Sequence, residues 1–388
     1  MADKFRLATL PEQRFGTFPG FTGEKACAVR SFHRTFPQYA PTPLWSLRAA
    51  AERLGLGAVY VKDESFRFGL NAFKVLGGSY AIGSLLSEQT GAELSYAALK
   101  AAKTEPQTFV TATDGNHGRG VAWAAREFGH KSVVYMPRGS VQIRLENIRR
   151  AGADASITEL SYDDAVRLAR SNAEEYGWSI VQDTGWEGYE TIPERIMQGY
   201  LTMGMEAWEQ LPQKPTHIFL QAGVGSMAAA MAALFAELMG QHRPTVVIVE
   251  PNKADCFYRT AKANDGQLHC VTEQMDTIMA GLACGEPCPR AWEILKSTAR
   301  HYLTCPDYAA ETGMRLLGRP LGNDPRIVSG ESGASAFGCV AELMTDPALL
   351  PLREALGLDR NSRVLFFSTE GDTDPENYRK ILSKPHKF

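Results

Sequence analysis

No stretch of this 388-residue chain approaches the ~20 consecutive apolar residues that a membrane-spanning helix requires. Neither sign of charge is in excess: 41 Lys and Arg stand against 44 Asp and Glu, a net charge of −3. That balance excludes a sequence-independent electrostatic grip on nucleic acid or on an anionic membrane, so neither is an expected partner. The opening residues, MADKFRLATLPEQRF, lack the apolar segment of a secretion signal, and a cytoplasmic location is expected. Cysteine is sparse and odd in number, at positions 27, 256, 270, 284, 288, 305 and 339, which excludes a disulfide scaffold. Cys270, Cys284, Cys288 and Cys305 share a stretch with His269 and His301, but no CxxC pair occurs. Cys284 and Cys288, with Pro287 between them, match zinc-ligand spacing poorly, and no metal is expected. Repeats, low-complexity tracts and long polar linkers are also missing.

What is present is alternation. Strand-like runs (GAVYVKDES, TFVTAT, KSVVYMP, ASITEL, SIVQDT, THIFLQA) are each followed by a stretch of helical period, from about residue 57 onward, and TVVIVEP closes the series. Short continuous apolar runs followed by helices indicate buried parallel strands with crossover connections. The expected fold is α/β, with open, mostly parallel sheets covered by helices on both faces. Ligands of such sheets sit beyond the carboxyl ends of the strands. Three of those ends are chemically unusual: TATDGNHG (111–118), QAGVGSMA (221–228) and FFSTEGDTD (366–374). The first fifty residues show little periodicity and are expected to wrap the surface, while 252–306 gives only weak strand signals.

Lys74 stands in SFRFGLNAFKVLGGSYAIG (65–83) among apolar and small residues, with no carboxylate three or four positions on. Either it snorkels to water, or it is a desolvated amine kept nucleophilic for a carbonyl. The GVGSMA loop also has two functional readings. Gly223, Gly225 and Ala228 fit the dinucleotide fingerprint, with Glu250 about twenty residues on as the ribose acid. Alternatively, the backbone N–H groups of Gly225, Ser226 and Met227, with the Ser226 hydroxyl, cradle a different phosphate. A nucleotide explains neither Lys74 nor the DGNHG turn. A carbonyl-bearing phosphate ester explains both, and the implied cofactor is pyridoxal 5′-phosphate.

NAFK before a small-residue helix, then TDGNHG, GVGS and STEGD, taken together and in this order, resemble the tryptophan synthase β-type (fold type II) pyridoxal phosphate enzymes. Among these the chain is most similar to the diaminopropionate ammonia-lyases, from about residue 35 to the C-terminus. The resemblance implies a large cofactor-binding domain (1–84 and 191–388), a small domain (85–190), the cofactor between them, and a homodimer. It makes Lys74 the lysine that bonds the cofactor, Asn116 the partner of its phenolic oxygen, and Gly223, Val224, Gly225, Ser226 and Met227 its phosphate loop. Ser368 becomes the neutral partner of the pyridine nitrogen, with Thr369 beside it able to take the same role.

Two carboxylates then speak to the substrate. Asp114 stands one place before Gly-Asn-His-Gly, and Asp183 falls at a strand end in SIVQDTGWEGY. One reading makes each a loop or helix cap. In a site that already holds a phosphate, though, an acid is costly unless something cationic pairs with it. Two acids therefore suggest a substrate with a second ammonium group, and 2,3-diaminopropionate, D or L, has one on its β-carbon. The expected reaction is β-elimination of ammonia, with Lys74, Asp114 and Asp183 catalytic. The substrate carboxylate would lie on the backbone N–H groups of Thr113, Asp114, Gly115, Asn116 and His117. Lys74 and Asp114, on opposite faces, would serve the two enantiomers. The rivals are a threonine or serine dehydratase, a threonine synthase-like enzyme, a NAD-binding protein built on GVGSMA, and a non-catalytic pyridoxal phosphate carrier.

Overall fold

The computed structural model describes residues 4–11, 16–102, 104–113 and 115–385. Its strands, in chain order, are β1 (Arg6–Thr9), β2 (Leu44–Ser46), β3 (Ala58–Asp63), β4 (Thr108–Ala112), β5 (Lys131–Met136), β6 (Asp154–Ile157), β7 (Ser179–Ile180), β8 (His217–Gln221), β9 (Thr245–Pro251), β10 (His301–Cys305) and β11 (Arg363–Ser368). One sheet has the order β1-β10-β9-β8-β11-β3-β2, and the other β6-β5-β4-β7. The second sheet is parallel throughout; the first is parallel except where its edge strands β1 and β2 pair antiparallel. Every residue of β8 and β10 is buried, as expected for strands covered on both faces. No helix among the described residues is long and apolar enough to cross a membrane.

Two regions differ from the sequence-based expectation. The first fifty residues do not merely wrap the surface: β1 closes one edge of the large sheet, and helix Gly23–Arg34 buries Ala26, Val29, Phe32 and His33. HYLTC, in the weakly patterned 252–306 segment, is the fully buried strand β10. Its His, Tyr and Thr conceal an apolar strand pattern because each finds a place inside; His301 Nδ1, for example, lies 3.0 Å from Thr9 Oγ1.

The segment that carries Lys74 is held from both sides. Before it lies a buried charge network joining β3, the turn Glu64–Gly69 and helix Thr191–Gln210. Lys62 Nζ donates to Glu206 Oε2 at 2.8 Å. Arg67 donates to Glu64 Oε2 at 2.8 Å and to both Glu206 oxygens at 2.9 and 2.8 Å. All four side chains are at most 2% exposed. Phe68 and Asn71 follow with φ of 49° and 55°, strain that the network and the stacking of Phe68 on Trp123 (5.3 Å) sustain. After Lys74, helix Val75–Thr90 sits against two other helices with almost no space between backbones. A Cβ on Gly199 would lie 2.3 Å from the Leu76 carbonyl oxygen, and one on Gly120 would lie 2.9 Å from Val75 Cα.

Glu206→Gln leaves Lys62 and Arg67 with one carboxylate between them in a dry interior. The expected cost is about 3–5 kcal/mol of stability, read from urea denaturation of the cofactor-free protein. A loss under about 1 kcal/mol would show that water reaches the network.

Candidate active site

The carboxyl ends of β4, β5, β7, β8 and β11 converge on a cavity of about 1070 Å³, lined among others by Lys74, Thr113, Asn116, His117, Asp183, the 223–227 loop, Thr369 and Glu370. This is where a parallel sheet places its ligand.

Lys74 does not lack an ionic partner, as its sequence neighbourhood suggested. Its Nζ donates to Asp183 Oδ2 in a short hydrogen bond, and the two side chains are 20% and 4% exposed. The partner is 109 residues away, so local spacing could not reveal it. Burial pulls the Lys74 pKa down, but the Asp183 charge outweighs burial and raises it above the ordinary lysine value. Paired with Asp183, Lys74 is thus an ammonium rather than a free neutral amine. For Asp183, burial pushes upward, and the Lys74 ammonium, with smaller help from the Tyr162 hydroxyl, holds the carboxyl down to about 2. Tyr162 adds a hydroxyl to Asp183 Oδ1 at 3.3 Å and itself accepts from Gln182 Nε2 at 3.0 Å.

His117 is buried and has its pKa lowered by that burial, which keeps the ring neutral. Its Nε2 bonds the Val181 carbonyl at 2.8 Å, so Nδ1 is the unprotonated nitrogen; Nδ1 has no hydrogen-bond partner among the described residues and lies 4.0 Å from Asp183 Oδ2. Asn116 opens helix Asn116–Glu127 and donates from Nδ2 to Glu370 Oε2 at 2.5 Å. Gly115 N–H turns back to Thr113 Oγ1 at 3.0 Å. Asp114 lies outside the described residues.

The 223–227 loop joins β8 to helix Ser226–Met239. The first intrahelical bond runs from Ala229 N–H to Gly225 C=O at 2.9 Å, so the amides of Ser226, Met227 and Ala228 precede the ladder and are free to meet an anion. Gly225 has φ +90°, and a Cβ there would stand 2.3 Å from the Phe257 ring. The Ser226 hydroxyl does not serve the cradle here: it donates to the Asp183 carbonyl at 2.6 Å, tying the loop to the segment that faces Lys74. Gly225→Ala combines a left-handed backbone with a clash against a buried ring. It should cost about 2–4 kcal/mol in denaturation midpoint and weaken cofactor retention in equilibrium dialysis.

Ser368 is 1% exposed at the end of β11, with its hydroxyl 2.8 Å from Ser329 Oγ; Thr369 rather than Ser368 borders the cavity, and its Oγ1 accepts from Gln221 Nε2 at 3.0 Å. Glu250, the acid of the dinucleotide reading, is turned away from the cavity. It is fully buried, accepts the Phe257 and Tyr258 N–H groups at 2.9 and 2.7 Å, and is pushed up to about 8 by burial. A ribose finds no acid there, and the dinucleotide reading falls. Among the described residues no cluster of three or more His, Cys, Asp or Glu side chains forms a metal site. Sequence reasoning assigned no role to Tyr162, Gln182, Ser329 or Glu370. Only Glu370 carried a signal, as the acid inside STEGD.

A group with a phosphate and a carbonyl fits these residues: orphan amides at one end, a lysine amine inside the cavity, and an unpartnered imidazole nitrogen beside it. Comparison with known proteins agrees. The family described as "Pyridoxal-phosphate dependent enzyme" matches residues 35–360. The chain is 50% identical over 366 residues to the diaminopropionate ammonia-lyase of Salmonella typhimurium, covering 91% of each. Its fold superposes with a TM-score of 0.93 on the crystal structure of holo diaminopropionate ammonia lyase from Escherichia coli, at 46% identity, over 98% of this chain and 97% of that one. The Escherichia coli enzyme in complex with an aminoacrylate-PLP azomethine reaction intermediate gives 0.92 at 46% identity, with the same coverage.

Proposed function

The chain belongs to the pyridoxal-phosphate dependent enzymes, in the diaminopropionate ammonia-lyase family, and from that premise we propose how its residues divide the work. The reaction is β-elimination: 2,3-diaminopropionate and water give pyruvate and two ammonia. Pyridoxal phosphate, when bound, supplies the electron sink that makes the α-proton acidic. The amides of 223–227 hold its phosphate, Asn116 meets its phenolic oxygen, and Lys74 is its covalent anchor. Thr369, which borders the cavity, with Ser368 buried beside it on Ser329, offers a neutral hydroxyl to the ring nitrogen. The 113–117 backbone receives the substrate carboxylate. Asp183, once Lys74 is engaged with the cofactor, has a negative charge to offer the β-ammonium. Lys74 and Asp114 take the α-proton from the two faces.

The observation that carries this reading is the Lys74–Asp183 pair lining the cavity. A hydroxyl leaving group needs no such anion, which disfavours serine or threonine as the principal substrate. The test is product stoichiometry and rate on D- and L-diaminopropionate, D- and L-serine and threonine. Two ammonia per pyruvate, with diaminopropionate preferred by kcat/KM, is expected; a preference for either hydroxy amino acid would overturn the assignment. Within it, Asp114→Asn removes charge and basicity but keeps shape. It should lower kcat/KM about 10²–10⁴-fold for one enantiomer and much less for the other. Equal small losses would mean that Asp114 only caps its turn. The same membership carries the proposal of a homodimer, tested by a solution mass of about twice 42.6 kDa.

A further inference from the structure

We propose that Glu370 is a positioning residue: its buried carboxylate fixes the Asn116 amide so that one N–H remains for the phenolic oxygen of the bound cofactor. The proposal rests on the reading of Asn116 given above. Glu370 is 2% exposed and borders the cavity. One of its oxygens accepts Asn116 Nδ2 at 2.5 Å, and the other accepts the Ser332 backbone N–H at 3.2 Å. Its own backbone is tied down as well. Gly330 N–H donates to the Glu370 carbonyl at 3.0 Å, Gly371 N–H donates to the Asn71 carbonyl at 3.0 Å, and Glu370 bridges Ala72. The carboxylate therefore cannot withdraw without opening the turn that carries Lys74.

An ionised carboxylate only accepts hydrogen bonds, so it faces the nitrogen of Asn116 and not the oxygen. An asparagine without such a neighbour can present either end of its amide. The charged groups within electrostatic reach of Glu370 are Glu331, whose pKa is raised by burial and by the Glu370 charge, and Arg119, one turn further along the helix of Asn116. Burial lowers the Arg119 pKa to about 10, the Glu370 charge opposes that fall, and its Nη2 has no hydrogen-bond partner among the described residues. Glutamine at position 370 would have one acceptor oxygen for three donors, the Asn116 amide, the Ser332 N–H and the Thr373 hydroxyl 3.5 Å from Oε2. Ser332 N–H is fixed in the backbone and Asn116 can turn, so the oxygen goes to Ser332 and the amide of Asn116 loses its orientation.

The test uses purified holoenzyme and the pH midpoint of the cofactor's visible absorption, in the parent, Glu370→Gln, Glu370→Asp, Asn116→Ala and the Glu370→Gln/Asn116→Ala double variant. Glu370→Gln should move the midpoint in the same direction as Asn116→Ala and by at least about half as much, and should add little in the double variant. Glu370→Asp, which draws the carboxylate back by one methylene, should give a smaller shift of the same sign; it decides on the same terms if Glu370→Gln does not fold. A Glu370 that only supports its turn would lower the melting temperature and leave the midpoint where it is, which overturns the proposal. A shift of opposite sign, or full additivity, overturns it too, because the charge would then act directly. If Asn116→Ala leaves the midpoint unmoved, the reading of Asn116 falls and this proposal with it. If Asn116→Ala moves the midpoint and neither Glu370 variant does, this proposal alone falls.

Discussion

Lys74→Ala loses turnover of both diaminopropionate enantiomers by at least about 10⁴-fold, and with it the visible absorption of the bound cofactor. The expectation rests on placement. Lys74 directly precedes helix Val75–Thr90, lines the cavity and has its amine on Asp183. Its surroundings are built to keep the amine there: the Glu64–Arg67–Glu206 network fixes the chain before it, and close helix packing fixes the chain after it. No other lysine lines the cavity among the described residues, so nothing can take over the covalent role. The protein should still fold, since removing the ammonium leaves Asp183 with Tyr162 and Gln182 as donors. Absorbance, borohydride trapping and kcat measured together decide the matter. Full activity with the band intact would remove Lys74 from the mechanism.

Asp183→Asn is expected to lower kcat/KM for diaminopropionate by about 10²–10⁴-fold, and for serine by clearly less. The carboxylate is the counter-charge of Lys74, and the substrate's β-ammonium can take that place when the lysine is occupied. Serine brings no such cation. Two pH effects should accompany the loss. With the carboxylate gone, burial and the positive helix N-terminus are left acting on Lys74, so its pKa falls, and cofactor-free Asp183→Asn should react faster with amine-directed reagents at neutral pH. The second concerns stability. Asp183 sits at about 2 in the folded chain against an ordinary value of 3.8, so its contribution is present above about pH 4 and lost as pH falls toward 2. The Asn variant should lack that part of the acid loss. Equal losses on diaminopropionate and serine would confine Asp183 to holding Lys74 before the cofactor arrives.

How far each feature was legible follows from the range of the interaction behind it. The parallel strands β3, β4, β8 and β9 were readable because burial on both faces leaves a mostly apolar run, a signal contained within five to seven residues. The cradle at 223–227 was readable because Gly-x-Gly at a strand–helix corner is itself the geometry that exposes amides. Strands β1 and β10 were not readable. HYLTC is polar by composition, and what makes it a core strand is that β9 and β1 flank it.

Thus the amino-acid sequence by itself determined the α/β class and the cofactor, and it singled out the 223–227 loop and Lys74 as the residues proposed to hold that cofactor, since each signal is written in residues adjacent along the chain. Only the tertiary structure decided what that lysine faces. Asp183 reaches it from 109 residues away, Glu370 reaches Asn116 from 254, and Glu250, correctly spaced for a ribose, points into the core instead. Charge state and hydrogen-bond direction depend on distance in space and on burial. Neither quantity exists until the two sheets have closed around the cavity.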